Sequence, residues 1–341
     1  MRCCKFPFER LNIEWDGSVT FCGSNFLLGN IYNDSFEDLW YGEKAVEFRK
    51  SVFEGSCKHC NLKFCFEYND WNMKDFDEKF IKNPSYPKIV NLSYVKTCNL
   101  RCRTCRDDLC IETKKDTANY NKITDKVVDI CKKAEFIYLD GSGEVFVSNH
   151  LKNIVKKISE LNSNIEFFIQ TNGLLCDEKN IKDFFGEDIK VKYIDVSINA
   201  GTKRTYKKIT RGGNWKKLQN NLKYLSELKT QGKIKSLSLS FVFHSLNFKE
   251  MPKAVEIAQK YGIDVHFSMF RNWNSSLMCK NYEKYACWEV AHKDYRKFLN
   301  ILRKLKKMKN YRFDEEFFRY VQSKLKDTWW LRLKSKILGE K

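Results

Sequence analysis

The chain has 341 residues, 43% hydrophobic and 31% charged, which is enough to bury the core of one large domain and a small one. No stretch approaches the roughly 18 apolar residues that cross a bilayer, and the first residues lack a signal-peptide pattern, so we expect a cytoplasmic protein. The net charge of +19 suits a polyanionic partner, although lysine is abundant along the whole chain, as in proteins from biased genomes.

Cysteine usage points to metal. Fourteen cysteines without a secretory signal favour metal binding over disulfides, because a reducing compartment keeps thiols free. Six of them lie in residues 1–80, together with many aromatic residues and only short regular segments. A small domain of this composition needs stabilisation beyond that of its core, and a bound metal group can provide it. We predict a separate metal-cluster domain over residues 1–80.

The middle of the chain, residues 88–272, alternates short β-branched or apolar runs with amphipathic stretches. The predicted strands are Ile89–Val95, Phe136–Leu139, Ile165–Gln170, Tyr193–Ile198, Leu237–Phe243 and Val265–Met269. The predicted helices between them include Thr124–Lys133, His150–Leu161, Trp215–Leu228 and Phe248–Tyr261. Alternation of this kind predicts a parallel sheet with crossover helices. Six units fall short of the eight that close a barrel, so the predicted fold is α/β, a partial (β/α)6 barrel whose carboxyl strand ends carry the chemistry.

Residues 273–341 are predicted to form a basic helical extension, with helices over Lys293–Lys307 and Asp314–Lys326. From Ile301 to Lys341 the chain has 13 basic and 5 acidic residues. Aromatic residues lie among these charges in Tyr311–Phe313 and Trp329–Lys334. They suit either stacking on nucleic-acid bases or packing against the barrel. Contact with a polyanion at this end is therefore a hypothesis.

The first predicted barrel strand is followed by Cys98, Cys102 and Cys105, spaced x3 and x2 on one short loop. Thiolates are the ligands of iron–sulfur clusters, and three of them leave one iron open to another molecule. The spacing and its place after a strand resemble the signature of the radical S-adenosylmethionine (SAM) superfamily. The resemblance implies a catalytic [4Fe-4S] cluster that binds SAM. Thr104 stands where this superfamily usually has an aromatic residue near the adenine.

Two further loops after strands carry the same resemblance. The segment Asp140–Glu144 resembles the glycine-glycine-glutamate motif, which implies that Gly143 and Glu144 hold the methionine amino group of SAM. Glycine permits close approach of the backbone, and a carboxylate complements an ammonium group. The loop after the third strand resembles one that faces the cofactor in this superfamily, and Thr171 and Asn172 are its candidate residues.

The loop after the fourth strand resembles the serine-isoleucine-aspartate and arginine-glycine-glycine stretch of the peptide-modifying branch. By that resemblance Ser197 contacts the ribose of SAM and Arg211 its carboxylate, for which a guanidinium fork is suited. Asn199 stands where that branch usually has aspartate, and the change of charge leaves its contact with substrate open.

The amino-terminal cysteines lie in a frame that resembles the SPASM auxiliary-cluster domain or its shortened twitch form. That domain normally follows the barrel, whereas here it precedes it, a rearrangement that surface termini tolerate. A four-thiolate zinc site is the alternative, because paired cysteines also bind zinc. The resemblance implies one auxiliary [4Fe-4S] cluster, with ligands Cys4, Cys22, Cys57 and Cys60, and with Cys3 and Cys65 as further candidates.

The resemblance implies that one electron, from an external donor such as flavodoxin or ferredoxin, cleaves SAM to a 5′-deoxyadenosyl radical. This radical abstracts hydrogen from a peptide or carbohydrate-type substrate, which leads to oxidation, a crosslink or epimerisation. The protein positions the cofactor and the substrate, and the cofactor carries out the chemistry. Two alternatives are modification of RNA, suggested by the basic surface, and a non-catalytic iron–sulfur redox or scaffold protein.

Overall fold

The structure is a computed structural model that describes residues 4–23, 26–60, 65, 77–140, 142–187, 191–272, 275–317 and 320. Its strands are β1 Arg10–Ile13, β2 Ser18–Thr20, β3 Gly29–Asn30, β4 Ile89–Leu92, β5 Arg101–Cys102, β6 Phe136–Leu139, β7 Glu166–Thr171, β8 Val191–Ser197, β9 Thr210–Arg211, β10 Ile234–Phe243, β11 Asp264–Met269 and β12 Tyr311–Phe313. Its α-helices are α1 Phe6–Glu9, α2 Phe36–Tyr41, α3 Glu43–Phe53, α4 Lys79–Lys82, α5 Lys114–Cys131, α6 Asn149–Leu161, α7 Glu178–Phe185, α8 Lys203–Ile209, α9 Trp215–Thr230, α10 Met251–Lys260, α11 Leu277–Lys280 and α12 Tyr295–Leu305.

The chain folds as two compact units, each with its own parallel strands. The first comprises Met1–Thr97, Ile111–Gln170 and Lys182–Lys192, and the second comprises Cys98–Cys110, Thr171–Ile181 and Tyr193–Lys341. In the first unit the strand order is β7-β6-β4-β1-β2-β3, with β1, β4, β6 and β7 parallel and β2 antiparallel to both of its neighbours. In the second unit the order is β12-β11-β10-β8, and β10, β11 and β12 are parallel.

All six predicted strands of the α/β fold are present, as β4, β6, β7, β8, β10 and β11. Each unit adds a parallel strand that the sequence analysis missed. In the first unit β1 pairs with β4, so that Ile13 lies opposite Leu92. In the second unit β12 pairs with β11, so that Arg312 lies opposite His266. Both added strands are too short for their alternation to be distinguished from a loop.

The predicted helices between residues 124 and 307 are also present, with one large difference in bounds. Helix α5 begins at Lys114, ten residues before the predicted start. Its first turn has a capping box, in which the Thr113 side chain accepts from the Asp116 N–H and the Asp116 carboxylate accepts from the Thr113 N–H. This cap starts the helix in a polar stretch where the apolar periodicity gives no signal.

The described part of the carboxyl-terminal region packs aromatic side chains on β10. The ring of Phe243 lies 5.4 Å from that of Phe298 and 5.3 Å from that of Phe317, both measured between centroids. Of the predicted helix Asp314–Lys326, residues 314–317 and 320 are described, and 315–317 and 320 are helical. The segment Trp329–Lys334, proposed for polyanion contact, lies outside the described residues. No helix in the described ranges is long and apolar enough to cross a membrane.

Candidate active site

The loop with the three cysteines is shaped by a short antiparallel pairing in the second unit. Strand β5 pairs with β9, placing Arg101 opposite Arg211 and Cys102 opposite Thr210. The Cys102 carbonyl then accepts hydrogen bonds from the N–H groups of Cys105 and Arg106, both 3.0 Å long. This tight turn brings the second and third cysteines to one side of the loop.

The three thiols affect one another electrostatically. Burial, followed by the charges of the neighbouring Cys105 and Cys98, raises the pKa of the Cys102 thiol to about 12. Cys105 is exposed, while Cys98 is partly covered. Close thiolates repel one another, so bound iron has to stabilise them together. A set of soft sulfur donors on one loop suits an iron–sulfur cluster.

Arg211 holds this loop through its backbone. Its Nε donates to the Arg101 carbonyl at 2.7 Å, and its Nη2 donates to the carbonyls of Arg106 at 2.9 Å and Asp107 at 3.3 Å. Nη2 also lies 3.5 Å from the Asp107 carboxylate. The residue that the resemblance assigns to the SAM carboxylate thus has its Nε and Nη2 directed at the cysteine loop.

Thr171 and Asn172 lie in a turn that also reaches the cysteine loop. The Thr171 hydroxyl accepts from the Gly173 N–H at 3.1 Å, and the Asn172 side-chain oxygen accepts from the Leu174 N–H at 3.0 Å. The Asn172 side-chain amide donates to the Asn99 side chain at 2.8 Å. The structure therefore brings together the loops that contain the three cysteines, Asn172 and Arg211.

Ser197 and Asn199 occupy another part of the second unit, at the carboxyl end of β8. The hydroxyl of Ser197 lies 3.0 Å from that of Ser240. Asn199 has a φ of 47°, a left-handed conformation that asparagine tolerates better than most residues. Its side-chain oxygen accepts from the Val242 N–H at 2.7 Å. Asn199 thus stabilises the local turn. An uncharged amide oxygen is sufficient for this hydrogen bond, so the charge of an aspartate is not needed there.

Gly143 and Glu144 lie in the first unit, beside the backbone that leads into the cysteine loop. A Cβ on Gly143 would lie 2.5 Å from the Thr97 carbonyl oxygen and 2.6 Å from that of Val95, so only glycine fits this position. Glu144 is 2% exposed, and its carboxylate accepts from the Phe146 N–H at 3.4 Å. Gly141 lies outside the described residues.

The amino-terminal cysteines converge in the first unit. Burial raises the pKa of the Cys60 thiol to about 12 together with the charges of nearby cysteines, which contribute in the order Cys57, Cys22, Cys4 and Cys65. The Cys60 N–H donates to the Cys57 carbonyl at 2.9 Å, which forms the turn between this pair. The structure thus brings together all five candidates that it describes. The sixth, Cys3, lies outside the described residues.

A single ion and a cluster place different demands on these thiols. Within the described ranges, no group of three or more His, Cys, Asp or Glu side chains is arranged to hold one metal ion. A [4Fe-4S] cluster needs a wider arrangement, because each thiolate binds a different iron atom.

Family comparisons decide the affiliation of the chain. The SPASM iron–sulfur cluster-binding domain matches residues 3–61, and the radical SAM superfamily matches residues 92–258. The chain belongs to the radical SAM superfamily. Membership implies SAM and a [4Fe-4S] cluster as cofactors, and the SPASM match implies an auxiliary iron–sulfur cluster. The SPASM part precedes the radical SAM part, as the sequence analysis expected.

This radical SAM chain resembles several GTP 3′,8-cyclases. The protein of Alkaliphilus oremlandii is 25% identical over 185 residues, which are 52% of this chain and 54% of the relative. The probable GTP 3′,8-cyclase of Methanocaldococcus jannaschii is 23% identical over 179 residues, 51% of this chain and 55% of the relative. The chain thus spans about half the length of the curated relatives it matches.

Two solved structures share a weaker likeness with this radical SAM chain. Methylornithine synthase aligns with a TM-score of 0.41 and 8% identity, covering 66% of this chain and 63% of that chain. TYW1 with a lysine-pyruvate adduct bound aligns with a TM-score of 0.39 and 16% identity, covering 55% of this chain and 64% of that chain.

Two residues of the radical SAM site were missed by sequence reasoning. Asn99 is the partner of Asn172, and Arg106 donates from its Nε to the Cys105 sulfur at 3.4 Å. Both lie within or next to the cysteine triplet in sequence. Their proximity to the cysteines in sequence made them candidates for the site. The directions of their side chains, however, depend on the turn at Cys102.

Proposed function

We propose that this chain is an enzyme that cleaves SAM reductively and uses the product to abstract hydrogen from its substrate. The observation that carries the proposal is that Cys98, Cys102 and Cys105 lie on a single loop within the radical SAM match, where we propose that they bind the SAM-binding cluster. When bound, the cluster and SAM supply the one-electron cleavage and the 5′-deoxyadenosyl radical. The chain supplies thiolates, a fixed loop and contacts for SAM.

We propose that Gly143 and Glu144 receive the methionine amino group and that Ser197 receives the ribose. Gly143 lets its segment lie against the Thr97 and Val95 carbonyls, next to the first cysteine in sequence, and the buried Glu144 carboxylate complements an ammonium group. The proposed SAM-binding residues also include Thr171, Asn172, Asn199 and Arg211. For Asn172 and Arg211, the hydrogen bonds to the cysteine loop support a role in holding that loop, alongside the contact with SAM that the family resemblance implies.

We propose that an auxiliary [4Fe-4S] cluster binds to Cys4, Cys22, Cys57 and Cys60. The mutual electrostatic effects of these thiols support a common site, and all four lie within the SPASM match. Cys65 is an alternative ligand, since its charge also acts on Cys60. The domain division of 1–80, 88–272 and 273–341 is part of this proposal, and the family matches to 3–61 and 92–258 support its first two parts.

The substrate is proposed to be of peptide or carbohydrate type. The loop after β8 supports this class, because it resembles a stretch of the peptide-modifying branch. A purine nucleotide is the second candidate, favoured by the relatives named GTP 3′,8-cyclase. An external one-electron donor such as flavodoxin or ferredoxin and a cytoplasmic location complete the proposal, in keeping with the lack of disulfides among the described cysteines.

The test is substrate-dependent formation of 5′-deoxyadenosine. The anaerobically reconstituted full-length protein is reduced with dithionite, mixed with SAM, and assayed by liquid chromatography with mass spectrometry. GTP, a panel of sugars and a panel of peptides are added separately. We expect a sugar or peptide to raise the rate above that without substrate. Consumption of GTP alone would favour the second candidate, and absence of 5′-deoxyadenosine under every condition would refute the proposed activity.

A further inference from the structure

Arg106 is the residue directly after the third cysteine, and its backbone is fixed on both sides. Its N–H donates to the Cys102 carbonyl at 3.0 Å, and its own carbonyl accepts from Arg211 Nη2 at 2.9 Å. With the backbone held in this way, the half-buried side chain lies back over the loop. Its Nε then donates to the Cys105 sulfur at 3.4 Å.

The charge of Arg106 acts on more than one thiol. It interacts favourably with Cys105, Cys98 and Cys110. Cys110 lies beside the first ligand, because its carbonyl accepts from the Cys98 N–H at 2.9 Å. Arg106 also acts on Cys102, where it opposes the effects of the two neighbouring thiols. The guanidinium therefore contacts the Cys105 sulfur directly, and its charge favours the thiolate form of all three proposed cluster ligands.

We propose that Arg106 is a positioning residue that stabilises the reduced state of the cluster on Cys98, Cys102 and Cys105. The inference rests on the proposed function. In the step concerned, an external donor loses one electron and the cluster gains it, so the site becomes more negative by one charge. A cation and an N–H donor at a ligand sulfur favour that state, because net charge and hydrogen bonds to sulfur set the potentials of iron–sulfur clusters.

Arg103 provides a matched comparison on the same loop. It lies two residues before Cys105, its side chain is exposed, and its backbone N–H donates to the Ile209 carbonyl at 3.0 Å. Replacing Arg103 removes the same charge from nearly the same place in the sequence. A long-range effect of net charge would appear in both variants, whereas a contact at the Cys105 sulfur would appear only at Arg106.

The test is a potentiometric titration of the reconstituted full-length protein, monitored by electron paramagnetic resonance. The SAM-binding cluster is identified as the one whose reduced signal changes when SAM is added, which separates it from an auxiliary cluster. Wild type, Arg106→Met, Arg106→Lys and Arg103→Met are compared, and iron per chain is measured for each. In Arg106→Met we expect the ratio of reduced to oxidised cluster at a fixed potential to fall about tenfold, which corresponds to about 59 mV for one electron.

Arg106→Lys keeps the charge, so we expect a smaller fall than in Arg106→Met, and Arg103→Met should match wild type. Three results would overturn the inference. These are an unchanged potential in Arg106→Met, an equal change in Arg103→Met, and loss of cluster iron from both Arg106 variants, which would assign the guanidinium to loop structure. A wild-type signal that does not respond to SAM would contradict the proposed function itself, and the inference with it.

Discussion

The backbone N–H of Glu144 donates a hydrogen bond of 2.8 Å to the carbonyl oxygen of Thr97. Thr97 immediately precedes Cys98 in the chain, so the glutamate proposed to bind the SAM amino group is tied to the entry of the cysteine loop. The close approach depends on Gly143, whose missing side chain leaves room for the carbonyls of Thr97 and Val95.

Gly143→Ala should therefore separate these two segments. The added methyl group would overlap backbone atoms, which have little freedom to move, and overpacking of this kind costs about 1–3 kcal/mol. We expect weaker binding of SAM, by about tenfold or more, in isothermal titration calorimetry of the reconstituted protein. Gly186→Ala is the control, because its Cβ meets nothing within 4 Å and only the φ of 80° opposes it. Equal affinities for wild type and Gly143→Ala would refute this role.

Arg211→Lys should loosen the cysteine loop while keeping the charge. A lysine ammonium cannot reproduce the Nε and Nη2 donors that reach the carbonyls of Arg101 and Arg106. We expect about tenfold weaker SAM binding, equivalent to about 1.4 kcal/mol, and faster loss of cluster iron to a chelator. Arg204→Lys, an exposed position on α8, serves as control. A wild-type rate of iron loss in Arg211→Lys would show that these hydrogen bonds do not hold the loop.

Cys57→Ala should remove the auxiliary cluster and leave the SAM-binding cluster in place. Iron analysis of the reconstituted variant should show about four iron atoms fewer per chain than wild type. Formation of 5′-deoxyadenosine in the absence of substrate should persist. The control is Cys131→Ala, which changes a buried thiol in α5 and should keep full iron content. Zinc in place of iron at this site, found by elemental analysis of the wild type, would favour the alternative zinc site.

His150 should make the protein less stable in mild acid. Burial lowers the pKa of His150 to about 4, and its Nε2 lies 2.6 Å from the Tyr94 hydroxyl. The unfolded chain takes up this proton near pH 6.5, so the free energy of unfolding falls as the pH drops from about 6.5 to about 4. The contribution is about 3 kcal/mol at most.

The measurement is the unfolding midpoint as a function of pH for wild type and His150→Gln. Acid also damages iron–sulfur clusters, but it does so in both proteins. The difference between the two pH curves therefore reports the contribution of His150 alone. We expect the curve of His150→Gln to be flatter between pH 6.5 and pH 4. Parallel curves for wild type and His150→Gln would contradict the assignment.

The six central strands were predictable because each is a short apolar run whose neighbours along the chain have helical period. Strand β7, for example, spans Glu166–Thr171, against a predicted Ile165–Gln170. Strands β1 and β12 were not predictable in this way. They are held by pairing with β4 and β11, which lie far away in sequence or across a loop, so the local pattern of four or three residues has no distinguishing signal.

The candidate site was predictable to a similar extent. Cysteine spacing identified both groups of thiols, since ligand type and number are visible in the sequence. The hydrogen bonds of Arg211 and Arg106 were not predictable, because they depend on the pairing of β5 with β9 and on the turn at Cys102. A long side chain adjacent to a ligand in sequence reaches that ligand only if the backbone directs it there.

The most direct test of the three cysteines as the SAM-cleaving site compares wild type with Cys98→Ala. Both proteins are reconstituted anaerobically, reduced with dithionite and incubated with SAM, and 5′-deoxyadenosine is quantified against time. We predict formation of 5′-deoxyadenosine by wild type and none above the protein-free background by Cys98→Ala, which lacks one of three cluster ligands. Formation of 5′-deoxyadenosine by Cys98→Ala at the wild-type rate would contradict the assignment of Cys98, Cys102 and Cys105 as the SAM-cleaving site.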